Sequence, residues 1–261
     1  MRDNEYRMRK GWTVLAVVSA LCCAPTLAHA QDDMGARLEA DAIGFVRPGA
    51  YLAGDTLNFL LDKYGDKFLL RFPGNPEIYV LYSDRASVGG RVLKYDTGAV
   101  VMTIAGWGGM TLYTDDKPQG LPAVRTGAST PPALSPVTPA EVRRAEADEG
   151  QHIAYLDRLR IAVSADISEL EKDAQERAEV FDAMENTVRG IDRFCGVPLG
   201  RSALVRIDTL HIITTPGRPT ANVTGHTLTV TYNRNQGYAG RASSRAIARA
   251  LGILLHVKLA N

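Results

Sequence analysis

Between Tyr51 and Thr114 apolar and polar residues alternate in short runs. Leu57, Phe59 and Leu61 alternate with Thr56, Asn58 and Asp62, and Phe68, Leu70 and Phe72 with Lys67 and Arg71. Ile78, Val80 and Tyr82 follow, then Val92 with Leu93 and Tyr95, then Val100, Met102 and Ile104, then Met110 and Leu112. A period of two is what a sheet with one buried face requires. The separators are turn chemistry: Tyr64-Gly65-Asp66, Pro73-Gly74-Asn75-Pro76, Gly89-Gly90, Asp96-Thr97-Gly98 and Gly108-Gly109. Such short separators imply hairpins. The pattern predicts an antiparallel β-meander of about six strands over residues 45–116, closed as a small barrel or packed as a sandwich.

The period then changes. Residues 117–137 are rich in Pro, Ala, Thr and Ser and read as a semi-rigid linker. Thr138-Pro139-Ala140-Glu141 has the form of a capped helix start, with Val142, Ala145, Ile153, Leu156 and Leu159 inward at helical spacing. Ser168-Glu169-Leu170-Glu171 reads as a second capping box. Its stripe runs through Phe181, Met184, Val188, Ile191 and Cys195, a seam suited to packing on another helix. Strand patterns return at Val205–Ile212, Ala221–Val223 and Thr227–Tyr232, and a last helix starts at Ser243 or Ser244. Residues 138–261 are therefore expected to form an α+β domain: a helical hairpin, a short antiparallel sheet and a C-terminal helix. The whole chain is of the α+β class.

The N-terminus changes the picture of where this fold works. Arg2, Arg7, Arg9 and Lys10 precede an apolar run from Trp12 to Ala24, and Ala28-His29-Ala30 is a small-x-small cleavage pattern. The run is too short to span a bilayer. Residues 1–30 read as a signal peptide, cut before Gln31, which places the protein in the periplasm or outside the cell. Removing the first thirty residues leaves 26 Lys and Arg against 27 Asp and Glu, and Cys195 as the one thiol. The near-balance gives no argument for nucleic acid, and one thiol forms no internal disulfide. The charge is uneven: residues 140–195 carry 14 acids and 8 bases, whereas after Asp208 there are only bases, Arg218, Arg234, Arg241, Arg245, Arg249 and Lys258. That basic end is expected either to pack near the acidic helices or to face an anionic surface such as lipid.

Candidate chemistry is sparse. Asp96-Thr97-Gly98 is the string of aspartic peptidases, in which two such turns share a proton. One copy would require a homodimer, and Lys94 and Tyr95 stand where that family has a buried apolar strand. The bland reading is a hairpin turn. Cys195 falls on an apolar helix seam, which favours a buried thiol over a nucleophile. No histidine has metal-ligand spacing, and no metal or cofactor is implied. Trp107 and Tyr113 flank Gly108-Gly109 and could be apolar platforms for a ligand. Arg241, Ser243 and Ser244 precede the last helix, where free N–H groups could receive an anion.

Several strings taken together resemble an uncharacterised family of exported alphaproteobacterial proteins, known only as a domain of unknown function. They are Leu70-Arg71-Phe72 with Pro76-Glu77, Asp96-Thr97-Gly98, Gly108 through Tyr113, and Gly237 through Ser244 with Ile247-Ala248 and Leu251-Gly252. Ala242 departs from it, standing where proline is expected. The resemblance implies export and a single turn at Asp96, but no activity or site. The expected function is a non-catalytic envelope protein that binds another envelope protein or a small ligand. The alternatives are a dimeric aspartic peptidase using Asp96 and a membrane-surface module using the basic C-terminus.

Overall fold

Eight antiparallel strands follow one another around a closed barrel in the computed structural model, which describes residues 45–166 and 173–259. They are β1 (Gly49–Ala53), β2 (Leu57–Tyr64), β3 (Lys67–Arg71), β4 (Tyr79–Arg85), β5 (Arg91–Lys94), β6 (Val100–Ile104), β7 (Met110–Thr114) and β8 (Lys117–Gly127). The six alternating runs are β2 to β7. β1 and β8 pair with each other, Ala53 opposite Ala123, and close the barrel. Inward positions Phe59, Leu61, Leu70, Leu81, Leu93, Met102 and Leu112 are buried and fill the interior, as expected for eight strands. Tyr51 stacks on Phe59 with centroids 5.1 Å apart.

The expected linker is therefore corrected over its first eleven residues, which form β8. Pro118, Gly120 and Pro122 disguise it. The strand tolerates them because its pairing with β7 is irregular, with a register shift between Leu112 and Thr114. Residues 128–137 form a strap on the barrel wall. Ser129 donates to Asp62 and Arg71 donates to the Thr130 carbonyl at 2.6 Å. Leu134 packs with Leu69, Val80 and Tyr238.

The second layer holds α1 (Pro139–Leu156), β9 (Ala162–Ala165), α2 (Ala174–Cys195), α3 (Gly200–Leu204), β10 (Thr209–Thr214), β11 (Ala221–Thr224), β12 (Thr227–Tyr232) and α4 (Ser244–Leu254). The capping box at Thr138 and Glu141 is formed. The expected antiparallel sheet is instead mixed, in the order β11-β12-β10-β9. β11 and β12 make the expected hairpin, whereas β10 runs parallel to both β9 and β12. The helical hairpin is also revised. Val137 bonds the start of α2 through the Ala174 carbonyl and Arg177, and His152 meets Asp192 near the other end of both helices. The two helices thus run the same way, because β9 carries the chain back between them. Parallel strands need such crossovers.

Val142, Met184, Ile191, Leu210, Ile212, Leu228, Val230, Ile247 and Leu251 share the core between the helices and this sheet. Gly190 lets α2 and α4 approach closely, since a Cβ there would lie 2.5 Å from that of Ile247. The described residues belong to one compact unit. The expected signal peptide, its cleavage site before Gln31 and the capping box at Ser168–Glu171 lie outside the described residues. α2 is capped by Asp173, which accepts from Gln175 and Glu176.

Candidate functional site

An up-and-down barrel sends alternate turns to opposite ends. The β3–β4, β5–β6 and β7–β8 connections lie at one end, and they carry Glu77, Asp96 with Thr97, and Asp115. All four residues meet the C-terminal segment. Asp96 accepts from the Ser243 amide at 2.7 Å and from its hydroxyl at 2.6 Å. Glu77 does the same for Ser244, at 2.8 and 2.6 Å. Ser243 is also the N-cap of α4, accepting from Ala246. Two barrel carboxylates thus occupy the N-terminus of α4, where unpaired amides and the helix dipole favour negative charge. Further along α4, Arg245 pairs with Asp115 and lies 4.6 Å over the Tyr95 ring, and Arg249 donates to the Thr97 carbonyl. Arg241 pairs with Asp182 of α2 and donates to the Ile78 carbonyl at 2.8 Å.

This clamp brings together four residues singled out in the sequence: Asp96, Arg241, Ser243 and Ser244. The carboxylates at these serines are those of the chain itself, Asp96 and Glu77. Asp96 sits in the expected tight turn, with the Gly98 amide bonded to the Tyr95 carbonyl at 2.9 Å. Its carboxylate faces Ser243. The basic C-terminus is largely spent in the same way, since Arg234 lies 3.6 Å from Glu176 while Arg241, Arg245 and Arg249 are engaged as above. Trp107 and Tyr113 are not brought together. Tyr113 lies half-buried on β7 with its hydroxyl 3.4 Å from that of Thr103. Trp107 is in the β6–β7 turn at the other end of the barrel and is 85% exposed.

Beside the clamp, α2 presents Glu176, Glu179 and Asp182 on one face to the loop after β12. Arg234 and Arg241 answer the outer two. Glu179 is 8% exposed, and its Oε2 is buried with no hydrogen-bond partner. Burial, followed by the charges of Glu176, Asp173 and Asp182, pushes its pKa up to about 7. The hydroxyl of Tyr232 is also buried and unpartnered; its pKa is raised by burial and by Glu179. Gly237, with φ +50°, lets the Tyr64 hydroxyl approach closely, since a Cβ there would lie 2.4 Å from it. This acid can hold or release a proton near neutral pH. Sequence reasoning misses it because only the tertiary packing denies it a cation. The acidic excess of residues 140–195 is its one visible trace.

A third cluster joins α1 to α2. His152 bonds Asp192 at 3.0 and 3.1 Å. Burial and neighbouring Asp192 raise the pKa of Asp157. Burial, then Asp157, pushes the Cys195 thiol up to about 12, so it is protonated and a poor nucleophile at neutral pH. Among the described residues no group of three or more His, Cys, Asp or Glu could hold a metal ion, and no helix is long and apolar enough to cross a membrane.

Fold and clamp together define a small closed β-barrel locked at one end to an α+β layer. The chain belongs to the family described as a domain of unknown function (DUF4908), whose profile matches residues 36–251, from ahead of β1 into α4. No curated protein and no solved structure matches it.

Proposed function

We propose that this chain is an exported envelope protein that works by binding, with the free end of the barrel as its contact surface, and that it performs no chemistry of its own. The observation that carries this reading is Trp107, a large aromatic side chain 85% exposed at the tip of a turn. Beside it, Val88 in the β4–β5 turn is 87% exposed and holds a left-handed φ of 55°. A β-branched residue rarely adopts that conformation, and strain of this kind clusters at functional surfaces. The clamp supports the reading from the other side. It ties the acids, hydroxyls and arginines of the conspicuous motifs to one another, so the far end is anchored, while at this end Tyr64 of the β2–β3 turn meets Gln236 and Tyr238 and the β4–β5 and β6–β7 turns expose Val88 and Trp107.

A photo-crosslinking residue placed at position 107 in the exported chain tests the proposal, with position 148 on α1 as control. Adducts in intact cells at 107 and none at 148 are expected. No adduct at 107 overturns the reading. So does peptide cleavage at acid pH by the purified protein that is lost in Asp96→Asn, which would mark the dimeric aspartic peptidase.

A further inference from the structure

We propose that the free end of the barrel docks on an anionic lipid bilayer, with Trp107 and Val88 entering the interface and the basic rim facing lipid headgroups. This deepens the binding reading above and rests on it.

The barrel is electrically polarised along its axis. The clamped end carries Asp55, Glu77, Asp96, Asp115 and Asp116 near its turns, and α4 covers the middle three of these. Among the described residues the free rim carries Lys63, Lys67, Arg85, Arg91 and Arg125, against Asp66 and Asp84. Lys67 takes Asp66 at 2.7 Å, while Asp84 is drawn along the wall to Lys94 at 2.7 Å. Arg85 and Arg91 are direct cross-strand partners at the base of the Val88 turn. Like charges placed opposite each other destabilise a sheet. An external anion would turn that cost into a gain.

The apolar part has the geometry of insertion. The β4–β5 and β6–β7 turns are neighbours, because β5 pairs with β6 up to Arg91 opposite Ile104. Val88 and Trp107 are therefore exposed on adjacent turns at this end. An amphipathic tryptophan at a tip with arginines just behind it matches the layering of a membrane interface, apolar below and anionic at headgroup level. A polyanion without an apolar layer would satisfy the arginines but leave Trp107 and Val88 in water.

The chain carries its own reporter. Of its two tryptophans, Trp12 lies in the first thirty residues, so the chain recovered after export and cleavage contains only Trp107. Vesicles of phosphatidylcholine with about 30% phosphatidylglycerol should blue-shift its fluorescence, brominated lipid should quench it, and the protein should co-sediment. The effects should be absent with phosphatidylcholine alone and should fade in about 0.5 M salt, where screening is short-ranged. Arg85→Glu with Arg91→Glu should weaken binding about tenfold or more, with the fold checked by circular dichroism. Trp107→Ala should weaken co-sedimentation as well. Several outcomes overturn the proposal: no blue shift, equal binding to neutral vesicles, or binding unchanged in the double arginine variant. Equal affinity for single-stranded DNA would replace the bilayer by a polyanion. Crosslinks from position 107 to a protein, without vesicle binding, would overturn the bilayer and leave the binding reading standing. No crosslink at all would remove both.

Discussion

Glu179 is the residue whose neighbours decide its behaviour most completely. Its carboxyl has an ordinary value of 4.5 and titrates at about 7 in the folded chain. Below pH 4.5 both folded and unfolded chains hold the proton. Between about 4.5 and 7 the unfolded chain releases it and the folded chain does not, so stability falls as pH rises; above about 7 the loss is complete. At 1.4 kcal/mol per pKa unit, with partial solvent contact discounted, the loss is roughly 2 kcal/mol. Glu179→Gln should therefore match the parent near pH 4 and exceed it by roughly 2 kcal/mol at pH 8, as read from urea unfolding curves at the two pH values. Cys195 offers the complementary check. Native protein should resist a maleimide at pH 7, and rapid labelling would show that the thiol is neither buried nor protonated as described. These two residues were not equally legible in the sequence. Cys195 sits on a seam whose spacing announces burial. Glu179 lies among acids of the same helix, and nothing local distinguishes it from Glu176, which meets Arg234.

At the scale of elements, legibility follows how local the signal is. Strands β2 to β7, the turn at Asp96, the box at Thr138 and the cap at Ser243 are written in neighbouring residues. β1 is not, because Gly49, Ala50 and Ala53 carry little apolar contrast. Nor is β8, whose prolines and glycine mimic a linker. The direction of α1 relative to α2 depends on β9, a four-residue strand whose partner β10 lies more than forty residues on. The anions at α4 were invisible for the same reason, since Glu77 and Ser244 are 167 positions apart. The contact of α2 with α4 yields a prediction of its own. Gly190→Val would drive two methyl groups into Ile247. It should cost about 3 kcal/mol by overpacking and the loss of close approach. Gly190→Ala should cost less, and thermal melts of the two variants would rank them.

Across the whole molecule, a nearly neutral net charge of +1 conceals an ordered distribution. Acidic turns at one barrel end meet a C-terminal segment that carries only bases. The clamp includes buried bonds, with Ser244 at 1% exposure and Glu77 at 3%, so the barrel and the α+β layer should unfold together in one cooperative transition. Ser243→Ala with Ser244→Ala removes a cap and leaves a buried carboxylate short of donors. The pair should cost about 3 kcal/mol and should broaden or split the calorimetric transition. A sharp, unshifted peak in that variant would show that the clamp contributes nothing to the coupling.

The clamp also sets an order of events. A chain is made with its first residues leading, and domains tend to fold as they appear. Each barrel strand finds its neighbour within one hairpin, and only the closure of β1 on β8 spans the unit. The acidic turns, in contrast, wait for α4, which follows the whole barrel in the chain. Until it arrives, Glu77, Asp96 and Asp115 lack their donors and have no helix to cap. A chain cut short before residue 241 would keep every strand of its barrel and lack the residues that neutralise one end of it. Arrival of α4 thus separates molecules with a neutralised barrel end from those without one, and a protease could tell them apart by that end alone.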